Sequence, residues 1–268
     1  MNTDFADSVL VGTQRHLLAA NLHHRLQCPI MKATKFLLLA ASVLALSAIF
    51  SASGGRGEEL PEFAPSGTRA DAKFVDTLPP EGRLVNGKPV GKHWKNMLKS
   101  KEEWNADPRY WTFKDGVLHG DYDGGKFHNY SYTKKTYTDF ELNVVIRMSG
   151  KNANSGVCIR IHPTDADNVP GYQVDMGEGY WGSLWEERRA GMVQQYPVDL
   201  ARKLVIDGGW NHYYVIAKGH HIQAWLNGVK TIDTVHDAGF ADGNIGFQLC
   251  HGEKHTTVDV KTLYIREM

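Results

Sequence analysis

The sequence predicts an all-β domain, and three observations carry that expectation. Short runs of alternating apolar and polar residues recur from Lys73 onward, each bounded by Gly, Asn or Asp. The chain holds 27 Gly, and Phe, Trp and Tyr make up 10% of it, a composition suited to turns and strands. No stretch alternates strands with long helical patterns, which disfavours Rossmann and (β/α)₈ architectures. Many short strands without an internal repeat indicate one β-sandwich or barrel.

The chain opens with residues 1–30, which match no signal pattern. Met31 then begins MKATK, and Lys32 and Lys35 precede the apolar run Phe36–Phe50. That run is shorter than the ~18 apolar residues expected of a membrane-spanning helix. Small residues follow it, Ser51 to Gly54. Basic, apolar and small residues in this order read as a cleavable secretory signal over 31–53. Residues 1–30 are then an upstream extension of the reading frame. The Gly-, Pro- and Glu-rich stretch 54–72 is a linker, and 73–268 is the folded domain. The expected product is secreted or periplasmic, with no integral membrane span; the alternative is a single membrane anchor.

Within the domain, Trp94–Trp104 is a short, weakly amphipathic helix candidate. Trp111–Leu118 carries Asp115–Gly116 at its centre, the strongest short hairpin signal. Phe140–Met148, Gly156–His162 and Tyr172–Met176 read as strands. Tyr213–Lys218 and His221–Leu226 flank a turn at Gly219, and Asn227–Gly228 begins the turn before Val229–Val235. Ile245–Cys250 and Val258–Arg266 close the chain.

Composition excludes several functions. Lys+Arg and Asp+Glu both number 30, for a formal net charge of +0, which argues against binding nucleic acid through phosphate neutralisation. The 3 Cys are too few for a disulfide scaffold. Cys158 and Cys250 share an outward parity, so both a disulfide and two packed free thiols are open, with free thiols favoured. The 13 His form loose clusters, His212 with His220–His221 and His251 with His255, without a third ligand at metal-site spacing. No Gly-rich phosphate loop joins a strand to a helix, so no nucleotide cofactor is expected.

Side chains alternate along a strand, so each strand sorts into two faces. Val157, Ile159 and Ile161 form one apolar set, with Cys158, Arg160 and His162 opposite. Tyr172, Val174 and Met176 are apolar, with Gln173 and Asp175 opposite. Ile245, Phe247 and Leu249 are apolar, with Gly246, Gln248 and Cys250 opposite. The polar sets describe either an ordinary wet face or a binding surface.

Seven segments in order then resemble the 3-keto-disaccharide hydrolase domain family, a branch of the concanavalin A-like lectin/glucanase jelly rolls. They are LVNGK (84–88), WTFKDGVLHG (111–120), YTDFEL (137–142), NSGVCIR (154–160), GYQVD (171–175), WNHYYVIAKGHHIQAWLNG (210–228) and NIGFQL (244–249). The resemblance implies a two-sheet jelly roll with a sugar-binding groove on its concave sheet, and action on glycosides, including 3-keto glycosides. A non-catalytic carbohydrate-binding module is the rival function, because the fold hosts both. An exported structural protein with an empty groove is a third.

Glycoside cleavage commonly uses two carboxyl groups. A 3-keto sugar permits elimination instead, which needs a base and a group to stabilise the enolate oxygen. Asp175 is the expected base and Arg160 the expected stabiliser; the alternative for this pair is a simple cross-strand ion pair. Glu178 and Glu186 are candidates for the second carboxylate. Glu187 and Arg189 read as part of a solvated charge run. Tyr180, Trp181 and Trp185 suit sugar stacking, with Trp185 the expected platform and at least one of the others a hydrophobic plug. Gln173, Gln248, His162 and His251 complete the expected substrate contacts. A keto substrate further implies an upstream sugar oxidoreductase as a partner.

Overall fold

The computed structural model describes residues 76–252 and 255–268. The expected extension (1–30), signal peptide (31–53) and linker (54–72) lie outside the described residues. The strands open with Leu84–Val85 (β1), Lys88–Pro89 (β2), Lys95–Asn96 (β3), Trp104–Asn105 (β4), Trp111–Lys114 (β5) and Val117–Tyr122 (β6). Asn129–Thr133 (β7), Phe140–Ser149 (β8), Asn154–Ile161 (β9), Gly171–Gly177 (β10), Leu184–Glu187 (β11) and Gly191–Gln194 (β12) follow. Val198–Leu204 (α1) then precedes Asn211–Lys218 (β13), His221–Leu226 (β14), Val229–Val235 (β15), Asn244–Leu249 (β16) and Thr256–Glu267 (β17).

These strands build a two-sheet jelly-roll β-sandwich. One sheet has seven strands in the order β12-β11-β10-β9-β16-β7-β4. The other has eight, in the order β15-β14-β13-β8-β17-β6-β5, with β3 added against β17. Neighbouring strands run antiparallel, as in the β9–β10 and β8–β17 pairs. The core lies between the sheets, where Val157, Ile159, Val174 and Phe247 meet Leu142, Val144, Val215 and Leu263. Fully burying each such side chain contributes about 1.5–3 kcal/mol. Among the described residues, no helix is long and apolar enough to cross a membrane.

The turns follow their residues. Asp115 and Gly116 both take positive φ, 53° and 75°, and join β5 to β6 with the twist that two-residue hairpins need. The expected helix over 94–104 does not form. Asn96 caps the amide of Leu98 and starts a 3₁₀ turn over Met97–Lys99, and a second spans Lys101–Glu103. Two contacts settle the break: buried Trp104 donates its indole to Met97 O, and its backbone pairs with β7. The α-helix instead spans Val198–Leu204, with Asp199 in its first turn and Arg202 and Lys203 in its last, charges that complement the helix dipole.

One irregularity decides the site. Opposite β16, residues Cys158 to Ile161 of β9 face only Gly246 to Asn244. One residue is therefore extra, and β9 bulges at Arg160, which takes a left-handed φ of 51°. The backbone around it is crowded. A Cβ on Gly171 would lie 2.5 Å from Arg160 O, and one on Gly243 would lie 2.5 Å from Arg160 C. Past the bulge the alternation reverses: Ile161 packs with Cys158, Tyr130 and Val169 in a second apolar cluster, apart from the main core.

Cys158 and Cys250 are both buried, and no disulfide joins them. The register explains why. Cys158 lies opposite Gly246, four residues along β16 from Cys250, well beyond disulfide reach.

Candidate functional site

The outer face of the seven-stranded sheet gathers most of the expected residues. Tyr172, Val174 and Met176 point into the core, so Gln173 and Asp175 point outward from β10. Gln173 pairs with Cys158 on one side and Trp185 on the other, and Asp175 pairs with Gly156. On β16, Gln248 pairs with Tyr130 of β7. Gln173, Asp175, Gln248 and Tyr130 are all buried, whereas Trp185, Tyr180, Glu187 and His251 are half-buried around them.

A chain of amides links two carboxylates across this face. Gln173 Nε2 donates to Asp175 Oδ1 at 3.1 Å and to Ser155 O at 3.1 Å, and reaches Gln248 Oε1 at 3.4 Å. Gln248 Nε2 donates to the Tyr130 hydroxyl at 2.7 Å and contacts Glu187 Oε1 at 3.5 Å. Asp175 Oδ1 also accepts from the amide of Met176 at 2.9 Å. Gly156 makes this layout possible, since a Cβ there would lie 2.2 Å from Gln173 Cγ. The amide of Gln173 therefore lies across the bare backbone of β9.

Burial governs the electrostatics at the Glu187 end. Burial pushes the carboxyl of Glu187 above the usual range, with Arg188, Gln248 and Trp185 pulling partly back. Burial also raises the Tyr130 phenol and the Cys158 thiol well above their usual values, with Glu187 adding to each. Both therefore keep their protons at neutral pH. Cys158 points its sulfur at Gln173 Oε1, 3.6 Å away.

The aromatic residues divide as well. Tyr180 meets Trp185 edge-on, with ring centroids 6.3 Å apart. Trp181 packs against the main core and is the plug of the trio rather than a surface platform. At the β7 end, the rings of His128 and His251 lie 4.2 Å apart, and His128 Nδ1 accepts from the His251 amide at 3.2 Å.

Besides Trp181, four expected residues are not brought to this face. The bulge turns Arg160 inward: its side chain is fully buried over Phe140 and donates to the carbonyls of Thr138, Gly219 and Phe240. His162, one residue further, stacks on Phe240 and meets Asp242 O at 2.8 Å. Glu178 is exposed and pairs with Arg202. Glu186 shares the inward parity of Leu184, is 1% exposed, and holds Arg189 and the Ala190 amide. Its neighbour Glu187, read as a solvated charge, is the carboxylate that joins the network. Parity alone carried that signal, because Trp185 and Glu187 are two residues apart.

Among the described residues, no group of three or more His, Cys, Asp or Glu is placed to hold a metal ion. The histidines instead serve separate partners. His212 is bonded to Asn143, His221 to Asp233 and His255 to Asp121.

Residues 81–266 match the model of the 3-keto-alpha-glucoside-1,2-lyase-like domain. Among solved structures, one glycosyl hydrolase-like protein from Parabacteroides distasonis is 15% identical, with a TM-score of 0.50 over 66% of this chain and 94% of its own. Another from the same organism is 23% identical, with a TM-score of 0.48 over 66% of this chain and 100% of its own. Carbohydrate-binding module CBM66 from Bacillus subtilis is 17% identical, with a TM-score of 0.45 over 63% and 93%. No curated protein matches the chain.

Proposed function

Because the chain belongs to the 3-keto-alpha-glucoside-1,2-lyase-like domain family, we propose that it cleaves 3-keto-glycosides on the outer face of its seven-stranded sheet. The observation that carries this reading is the placement of Asp175 and Glu187 at the two ends of one amide chain. A ketone at C3 acidifies the neighbouring C2–H, so a carboxylate suffices as base. Asp175, steadied by Gln173 and the Met176 amide, takes that proton. The electron pair moves to the ketone oxygen, then returns to form the C1–C2 double bond as the C1–O bond breaks. Glu187, whose raised pKa suits a general acid, gives its proton to the departing oxygen. Water then adds across the double bond. Its hydroxyl goes to C1 with Glu187 taking the proton, and Asp175 returns its proton to C2. Net hydrolysis results and both carboxyl groups are restored.

Trp185 on β11 and Tyr180 just before it supply stacking surface, where the C–H faces of a sugar ring meet electron-rich rings. A reaction that oxidises a sugar hydroxyl to a ketone must supply the substrate, and a separate oxidoreductase is assigned to it. The leader over 31–53 would carry the domain outward. The test compares product release from a 3-keto glucoside and its unoxidised parent, in deuterated water, for the wild type and Asp175→Asn. Turnover of the keto substrate alone, with deuterium at C2 and loss in the variant, is expected. Turnover of both substrates without C2 exchange overturns elimination in favour of direct two-carboxylate hydrolysis. Saturable binding without turnover makes the domain a carbohydrate-binding module.

A further inference from the structure

Elimination beside a ketone needs a donor for the enolate oxygen, and Arg160 faces away from the site. Resting on the reading above, we infer that Tyr130 is that donor, its hydroxyl proton directed at the ketone oxygen of the sugar.

Hydrogen-bond direction carries the argument. Asp175 Oδ1 and Ser155 O can only accept from an amide, so Gln173 must turn its nitrogen toward them. That nitrogen has spent its two protons there and cannot itself accept, so the Gln248 oxygen, not its donor nitrogen, lies toward it at 3.4 Å. The Gln248 nitrogen is then left facing Glu187 and the Tyr130 hydroxyl. Tyr130 must therefore accept from Gln248, and its own proton has to point elsewhere. Among the described residues it makes no hydrogen bond as a donor. A phenol 8% exposed with an uncommitted proton is a donor waiting for an acceptor.

Rigidity and charge fit the same role. The Tyr130 ring is packed among Cys158, Ile161 and Val169, with Tyr132 against it, so the hydroxyl does not swing away. The phenol keeps its proton through neutral and mildly alkaline pH. It also shares Gln248 with Glu187, and so belongs to one cluster with the proposed acid. Preorganised donors of this kind act where charge develops and need no reorganisation during the reaction.

The experiment compares wild type with Tyr130→Phe on a 3-keto glucoside. The ring and its packing are kept, and Gln248 still has Glu187 as a partner. A fall in kcat of about a hundredfold to a thousandfold is expected, with KM nearly unchanged and the thermal midpoint preserved. The direct readout is the infrared C=O stretch of a ¹³C-labelled ketone bound to Asp175→Asn, where turnover is blocked. The stretch is expected at lower frequency than in water, and to return toward the aqueous value in Asp175→Asn/Tyr130→Phe. If Tyr130→Phe folds poorly, a fluorotyrosine at position 130 replaces it, and its more acidic phenol is expected to move the stretch further down. Wild-type turnover with neither kcat nor stretch sensitive to position 130 overturns the role of Tyr130 and leaves elimination standing. Absence of both turnover and ketone binding in the wild type overturns the two together.

Discussion

Arg160 and Asp175 sit on neighbouring strands yet point to opposite faces of the same sheet. Asp175 joins Gln173 on the outer face, and Arg160 enters the sandwich to hold three backbone carbonyls. The left-handed bulge at Arg160 causes the separation. It removes the guanidinium from the chemistry and makes it a structural clamp.

Arg160→Met tests that clamp. The variant keeps the length of the side chain but leaves the carbonyls of Thr138, Gly219 and Phe240 without their donor. Each unsatisfied buried acceptor costs about 1–3 kcal/mol. A lower urea midpoint is expected, with kcat and KM of the folded fraction unchanged. A large loss of kcat at unchanged stability would restore Arg160 to the site.

Gly156→Ala tests the amide chain. The added methyl would displace the flexible Gln173 side chain, which lies 2.2 Å from its position. Asp175 and Gln248 then lose their bridge. Activity on the keto substrate should fall by about a hundredfold, and the thermal midpoint should fall with it, because moving buried Gln173 leaves Ser155 O and Asp175 Oδ1 without its amide.

Glu187→Gln should depend on the leaving group. With a sugar as aglycone the departing oxygen needs a proton, and the variant should be nearly inactive. With 4-nitrophenol, a good leaving group, much of the rate should remain. For the wild type, activity should decline as pH rises through the Glu187 pKa, which burial lifts above the usual carboxylate range. That alkaline limb should vanish in the variant with the nitrophenyl substrate.

His212 makes stability depend on pH. Burial pulls its pKa down from 6.5 to about 4, and the neutral ring bonds Asn143 at 2.6 Å. The unfolded chain takes up this proton first as pH falls. The stabilisation is therefore complete above pH 6.5 and declines as pH drops toward 4. Urea unfolding at pH 5 should show a loss of about 2 kcal/mol relative to pH 7, and His212→Gln should flatten it.

The two thiols give a direct check on the packed outer face. Cys158 and Cys250 are buried and unpaired with each other. Both should resist a thiol reagent in the native protein and react once urea unfolds it. Failure of either to react in unfolded, unreduced protein would point to a disulfide.

Much of this arrangement was legible in the sequence. Alternation sorted Val174 and Met176 from Gln173 and Asp175, and Phe247 from Gln248, as the core shows. Asp115–Gly116 and Asn227–Gly228 marked their hairpins. What failed has one main source. Alternation assumes an unbroken strand, and the bulge at Arg160 reversed it for Arg160, Ile161 and His162. The 94–104 segment failed for another reason, since burial of Trp104 against Met97 outweighs a weak helical pattern. Glu187 was missed because it sits in a charge run, where its parity with Trp185 was outweighed by composition. Tyr130 could not be found by pattern at all, because its role depends on the direction of hydrogen bonds three residues away in space.

The glycines that face the bulge have a consequence for assembly. A regular antiparallel strand can slide by two residues along its neighbours and still bury the same face. β9 cannot. A slide would carry the left-handed Arg160 away from Gly171 and Gly243 and set its backbone against residues that carry a Cβ. The kink therefore acts as a detent during folding. It admits one alignment of β9 with β10 and β16, and it penalises the shifted pairings from which intermolecular sheets grow.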